Sequence, residues 1–231
     1  MLGTIVNVVA IAVGGTIGIL LKKGIPEKYK ATMMQGMGLS VSIIGLSGAL
    51  ETENILLLVF SMAMGVIIGE AAKIEDRLEG LGKWLENKFG NKESKIVEGF
   101  VTASLVFCIG AMAIMGSLES GLTGNHKILF TKSFIDGITA MVFASTLGIG
   151  VIFSGVAVFV YQGLITATAV LIKPFLAECA IREMSAMGGL LIVAISFNMM
   201  EIKKIRVGNM LPAIFIPVLY YILKIYVLKL S

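Results

Sequence analysis

Charge is scarce in this 231-residue chain: charged residues make up 15% of it, where an ordinary soluble domain carries about a quarter. Histidine is scarcer. His126 is the sole one and falls between two apolar stretches, so HExxH metal chemistry and histidine-based triads are excluded. No GxxxxGK[ST] loop is present to cradle nucleotide phosphates. The two cysteines, Cys108 and Cys179, lie in or beside apolar segments without CxxC spacing. They supply neither a zinc site nor a disulfide framework and are expected as buried structural thiols. No basic patch with interleaved aromatics speaks for nucleic acid. A Ser-Lys pair for intramembrane catalysis is arithmetically open, but no spacing picks one out. No enzyme activity, catalytic residue, metal site or cofactor is therefore expected.

What is present is apolar. Hydrophobic residues supply 57% of the chain and mean hydropathy is +0.94. Eight stretches approach the ~20 residues that a bilayer-spanning helix needs. They run over Leu2 to Leu21, Thr32 to Leu50, Ile55 to Ala72, Ile96 to Ser117, Ile128 to Leu147, Val151 to Ile172, Met184 to Met200 and Asn209 to Leu228. Hydrocarbon offers no water to the backbone, so each must be helical or belong to a closed barrel, and unbroken apolar runs without alternation exclude the barrel. The expectation is an all-α polytopic bundle of about eight spans. At 24.6 kDa there is room for a single membrane domain and no separate soluble one. Leu2 to Leu21 has no basic leader before it and is followed by Lys22, Lys23 and Gly24, so it reads as a retained span.

Thirteen lysines and arginines fall in the connections after spans one, three and seven, against four on the other side. The net charge of +4 records this topology rather than a nucleic-acid partner. By the positive-inside rule the richer side is cytoplasmic, and an even span number puts both termini outside. The weakest division is the uncharged, glycine-containing stretch from Thr146 to Gly155. The long connection from Lys73 to Lys95 repeats Ile74, Leu78, Leu81, Leu85 and Phe89 at spacings of three and four, an amphipathic helix over about 73–90. With Trp84 beside it, that helix suits either the lipid headgroup region or the cytoplasmic ends of the bundle.

Glycine is plentiful, at 27 residues. Gly14 with Gly18, and Ser61, Gly65 and Gly69, are spaced for close helix contact, either within the chain or in a homodimer. Spans one to three and six to eight show a faint correspondence, Gly15 matching Gly163 and Gly38-Leu39 matching Gly189-Leu190. Five helices apart, such units would be inverted, as in many transporters. Pro212 and Pro217 favour a kink in span eight.

Ionisable groups inside spans are costly. The leading one is Asp136, with Lys132 four residues before it on the same helix face. The alternatives are a cation or proton site, or a structural pair near the outer interface. Glu178, Arg182 and Glu183 form a second cluster, taken as an entrance helix or a solvated connection, with Glu119 at the end of span four. A thin line of uncharged polar residues includes Asn7, Gln35, Ser40, Ser47, Thr102, Ser104, Thr139, Ser145, Gln162, Thr166 and Asn198. Most suit interhelical hydrogen bonds, and Gln162, between Tyr161 and Gly163, is the first to test as pore-lining.

The run Cys108-Ile109-Gly110-Ala111-Met112-Ala113-Ile114-Met115-Gly116-Ser117-Leu118-Glu119 is followed by Lys132 with Asp136-Gly137-Ile138-Thr139, by Phe143 to Val151, and by Tyr161-Gln162-Gly163. These residues closely resemble the domain of unknown function 554 family, prokaryotic membrane proteins of the YdfK/YqgA type, and Gly69-Glu70 before an amphipathic segment also fits. The resemblance covers essentially the whole chain and implies a prokaryotic plasma membrane. It supplies no substrate or catalytic residue. The expected function is a transporter or channel for a small ion or solute, with a pathway near spans four to seven. Its candidate residues are Asp136, Lys132, Gln162, Glu119, Glu178, Arg182 and Asn198. The alternative is a non-transporting membrane scaffold or regulator acting through the amphipathic helix. Expected partners are the lipid bilayer, a small ion or solute and a second copy of the chain.

Overall fold

A computed structural model describes residues 1–22, 27–77, 80, 96–108, 110–173 and 178–228. Among them there is no strand; every element is helical. In chain order these are α1 (Leu2–Lys22), α2 (Glu27–Ala49), α3 (Ile55–Ala72), α4 (Ile96–Cys108), α5 (Ala111–Leu122), α6 (Lys127–Leu147), α7 (Gly150–Ala167), the one-turn α8 (Ala169–Ile172) and α9 (Glu178–Met199). A 3-10 helix (Val207–Phe215) then leads into α10 (Ile216–Leu228).

Six segments are long and apolar enough to cross a bilayer: α1, α3, α6, α7, α9 and the 3-10 helix with the start of α10. They are seven if α4 and α5, bent by 60° at their junction, count as one. The difference from the eight expected spans lies in α2. It forms a 23-residue helix over and beyond the expected segment, but Gln35 and its glycines and serines hold its apolarity below that of the rest.

The outer surface is the oily one. Leu2, Ile5, Val9 and Val13 on α1, Phe134 and Ile138 on α6, and Val156 and Leu164 on α7 are all exposed. Thr4, Asn7, Ser117, Ser133, Asp136 and Gln162 face inward and are buried. A water-soluble domain would show the reverse, since large contiguous apolar surfaces are not left to water.

Local chemistry sets the helix ends. The Asn54 side chain accepts from the Leu57 backbone N–H at 3.0 Å, capping α3, and Lys73 closes that helix with a left-handed φ of 52°. Such caps satisfy backbone groups that the helix leaves open. Gly148, at φ 78°, makes the tight turn from α6 to α7 inside the uncharged stretch that the sequence marked least clearly. Pro212 and Pro217 have no N–H to give to the preceding turn. The start of the last span is accordingly wound as a nine-residue 3-10 helix, longer than such helices usually run.

Two boundaries differ from expectation in ways that bear on function. The expected span from Ile96 to Ser117 is broken, and Gly110 at φ 127° takes a conformation open to glycine and closed to side chains that carry a Cβ. The seventh span starts six residues early, at Glu178, so Glu178, Arg182 and Glu183 belong to the first turns of α9 rather than to a connection. Hydropathy stops at a charged turn; the helix does not, because its backbone bonds are the same in either solvent.

Close packing runs through glycine. A Cβ on Gly14 or Gly18 would collide with the backbone carbonyls of Gly137 and Met141 on α6. On α3, Gly65 and Gly69 meet Ala213 and Asn209 of the 3-10 helix in the same way. The small-residue faces read in the sequence are thus used inside the chain. α1 runs antiparallel to α7, with Val8 near Gly155 and Met1 near Gly163. α2 lies antiparallel to α9, with Gly38 against Met200 and Gly45 against Gly189. α3 packs likewise on the 3-10 helix.

Of the expected amphipathic helix over 73–90, Lys73 is the cap of α3, residues 74–77 and 80 are helical, and the remainder lies outside the described residues. Glu75 accepts from the Gly208 N–H at 2.6 Å, its own N–H donates to the Asn209 side chain at 2.7 Å, and Asp76 pairs with Arg206. This fixes residues 74–77 to the end of the bundle beneath the 3-10 helix.

Candidate functional site

Asp136 lies on α6, two helical turns past its start, and is buried. Lys132 is one turn earlier on the same face, and its Nζ lies 2.8 Å from Oδ1 and 2.7 Å from Oδ2. The i,i+4 spacing therefore yields the pair that the sequence implied. It does not sit at an exposed interface. From α1, the Asn7 amide Nδ2 donates to Oδ2 at 2.9 Å, which ties the pair to a second helix. The α1–α6 approach that permits this bond depends on the glycine contacts at Gly14 and Gly18, about two and three turns further along α1.

Four helices meet around the pair. Each of α1, α5, α6 and α7 touches the other three. Gly3 on α1 and Gly116 on α5 both abut Leu129 of α6, which places their neighbours Thr4 and Ser117 one turn from Lys132. The Thr166 hydroxyl of α7 donates to the Ser117 carbonyl at 3.2 Å, and Gly163 lies against Met1. Gln162, next to Gly163, is thereby held at the same level and has no exposed surface. Cys108 is the last residue of α4, and Tyr161 precedes Gln162 on α7.

The polar groups around the pair are under-satisfied. Thr4 Oγ1, Asn7 Oδ1, Ser117 Oγ and both amide atoms of Gln162 are buried with no hydrogen-bond partner among the described residues. A buried polar group without a partner costs about 1–3 kcal/mol, and native proteins keep few of them. These five atoms lie on the helices that meet at the ion pair, and they are groups able to bind water or a polar solute.

The other residues singled out in the sequence do not join this cluster. Glu119 accepts from Asn125 at 2.7 Å and orders the turn after α5. Glu178 is an exposed residue at the start of α9. Arg182 pairs with Glu53 at 2.7 Å on the surface. Asn198 bridges both backbone groups of Ile205, at 2.8 and 2.7 Å, and closes the turn after α9. Glu119, Arg182 and Asn198 each make a local structural bond. Cys108 and Cys179 are free thiols, half-buried rather than sealed in the core.

Sequence reading missed three positions. Thr4 and Ser117 are the short hydroxyl residues whose neighbours Gly3 and Gly116 bring the helices together, and a polar residue next to a glycine was the available signal. Glu183, seen only as part of a charged run, is the buried member. It accepts from the Thr52 hydroxyl at 2.6 Å and the Glu53 N–H at 2.9 Å, pinning the α2–α3 turn to α9.

The family model described as "Protein of unknown function (DUF554)" matches residues 2–222 of this chain. The chain belongs to the DUF554 family. Among its DUF554 relatives is the uncharacterized membrane protein YdfK of Bacillus subtilis (strain 168), 35% identical over 221 residues, covering 94% of this chain and 94% of that protein. The uncharacterized protein YqgA of Escherichia coli (strain K12) is 31% identical over 219 residues, covering 93% of each. No solved structure matches. The match spans all four helices of the cluster, and with the apolar helices it makes the chain a multi-pass membrane protein of the DUF554 family.

Proposed function

We propose that this DUF554 protein moves a small solute across the prokaryotic plasma membrane, with the cluster of Thr4, Asn7, Ser117, Lys132, Asp136 and Gln162 as its passage. The observation that carries the reading is Gln162: an amide with no exposed surface and no partner for either polar atom. Burying it in that state is costly unless something polar visits it. The broken α4–α5 segment beside the cluster supports the reading, because discontinuous helices are where transporters expose backbone to a bound solute. So does the antiparallel packing of α1 on α7, α2 on α9 and α3 on the 3-10 helix, the three pairs that an inverted repeat would relate. In this arrangement both termini face outward, and the lysine-rich connections face the cytoplasm.

The test is flux through the purified full-length protein in proteoliposomes. A panel of ions and small metabolites should contain a solute whose uptake exceeds that of empty vesicles. Gln162→Leu, which keeps the volume and removes the amide, should lower that uptake severalfold while the protein stays folded. Uptake equal to empty vesicles across the panel would favour a membrane scaffold.

A further inference from the structure

The groups of the cluster also define what could pass. We infer that the passage selects electroneutral solutes, meaning uncharged hydrogen-bonding molecules such as urea or glycerol, and that Lys132 and Asp136 form a charge filter that excludes ions. The inference rests on the transport reading and goes beyond it by naming a substrate class.

Its first support is cancellation. Lys132 and Asp136 carry one charge each, and both are buried. The ammonium spends two N–H bonds on its partner, while the carboxylate accepts those two and a third from Asn7. Each charge has the other as its counter-ion, and one ammonium N–H is left over. Apart from these two, Glu183 is the buried charged residue among the described ones, and it is engaged by Thr52 and Glu53. From the neighbouring helices, α4 presents Cys108 and α7 presents Tyr161, side chains that are ordinarily neutral at pH 7. α1 presents Thr4 and Asn7, and α5 presents Ser117. The cluster therefore offers no net charge to a visitor.

The second support is the chemistry of the open valences. Thr4 and Ser117 contribute hydroxyls, Asn7 a carbonyl oxygen, and Gln162 both a carbonyl oxygen and an N–H donor pair. All are uncharged, and together they donate and accept. A neutral polar solute can use them while the ion pair stays intact. A lone cation or anion fares worse, because no opposite charge is free to offset its desolvation. To obtain one it must pull Lys132 and Asp136 apart and strand whichever it does not match. An ion thus meets a barrier that glycerol does not.

The prediction concerns four species and four variants of the full-length protein in proteoliposomes. Urea and glycerol entry is followed by stopped-flow swelling, and ion entry by uptake of radiolabelled rubidium and chloride. The unaltered protein should admit urea or glycerol faster than empty vesicles and admit neither ion. Lys132→Met leaves a net negative site and should raise rubidium uptake at least ~10-fold, since one uncompensated charge in a membrane interior exceeds the energy of a factor of ten. Asp136→Asn should do the same for chloride. The double variant Lys132→Met/Asp136→Asn restores neutrality and should exclude both ions again. The exchange Lys132→Asp/Asp136→Lys keeps the pair with its ends reversed, so it remains informative if a single variant fails to assemble, and it should also exclude ions.

Rubidium or chloride uptake by the unaltered protein would overturn the filter. If Gln162→Leu lowered that ion uptake, transport itself would stand and the inference alone would fall. No urea or glycerol entry would also overturn it, whether or not the wider panel found another solute. Ion uptake unchanged by Lys132→Met and Asp136→Asn, in protein shown to be folded, would count against it equally.

Discussion

Lys132→Met is expected to destabilise the protein by about 3–5 kcal/mol, the usual cost of stranding one member of a buried ion pair. The Asp136 carboxylate would keep only the Asn7 amide, in a site buried among four helices. Asp136→Leu should cost a similar amount, since it strands the ammonium instead. The double variant Lys132→Met/Asp136→Leu should recover most of the loss, because a well-packed apolar pair of similar volume often matches or exceeds the stability of a buried ion pair. Thermal unfolding of the detergent-purified single and double variants measures this directly. If the two single losses simply added, the residues would not be acting as a pair.

The second large effect is at Gly14. A methyl group there would meet the Gly137 carbonyl, which is backbone and cannot swing aside. Gly14→Ala should therefore push α1 from α6, lengthen the Asn7–Asp136 bond and cost at least ~1–3 kcal/mol, the usual range for overpacking. Gly36 is the matched control, since a Cβ there meets nothing within 4 Å. Gly36→Ala should be neutral or slightly stabilising, by up to about 1 kcal/mol, because alanine favours the helix. Equal effects at the two positions, read by thermal unfolding, would contradict the close α1–α6 approach.

Much of this architecture was readable from residue type alone. Continuous apolar runs specify helices in a bilayer wherever they occur, so α1, α3 and α6 fall within a residue of expectation, and α7 starts one residue early and ends five short. The Lys132–Asp136 pair was equally legible, because helical geometry fixes which neighbours can touch four residues away. Hydropathy does not report backbone conformation. The Gly110 break and the long 3-10 start of the last span were therefore hidden inside stretches as apolar as any other, with one glycine and two prolines as the only local signs.

The site was legible only in part, for a related reason. Asp136, Lys132 and Gln162 come together, while Glu119, Glu178, Arg182 and Asn198 do not, and nothing in their identities separates the two groups. What separates them is which helices touch, and in this protein that is set by small residues. Asn7 meets Asp136 across 129 positions because Gly14 and Gly18 let α1 lie against α6. A list of polar residues holds the ingredients of a site but not the helix pairing that assembles them.

The central claim is that the polar cluster is wet although it is surrounded by lipid-facing helices. Its most direct test is thiol labelling at Gln162→Cys, in a background with Cys108→Ser and Cys179→Ala, using a water-soluble methanethiosulfonate on the membrane-embedded protein. Leu164→Cys, on the exposed apolar face of the same helix, is the comparison. Rapid modification at position 162 with none at 164 is the expected result. A thiol at 162 as unreactive as the one at 164 would mean that the cluster is dry, and the proposed passage would not exist.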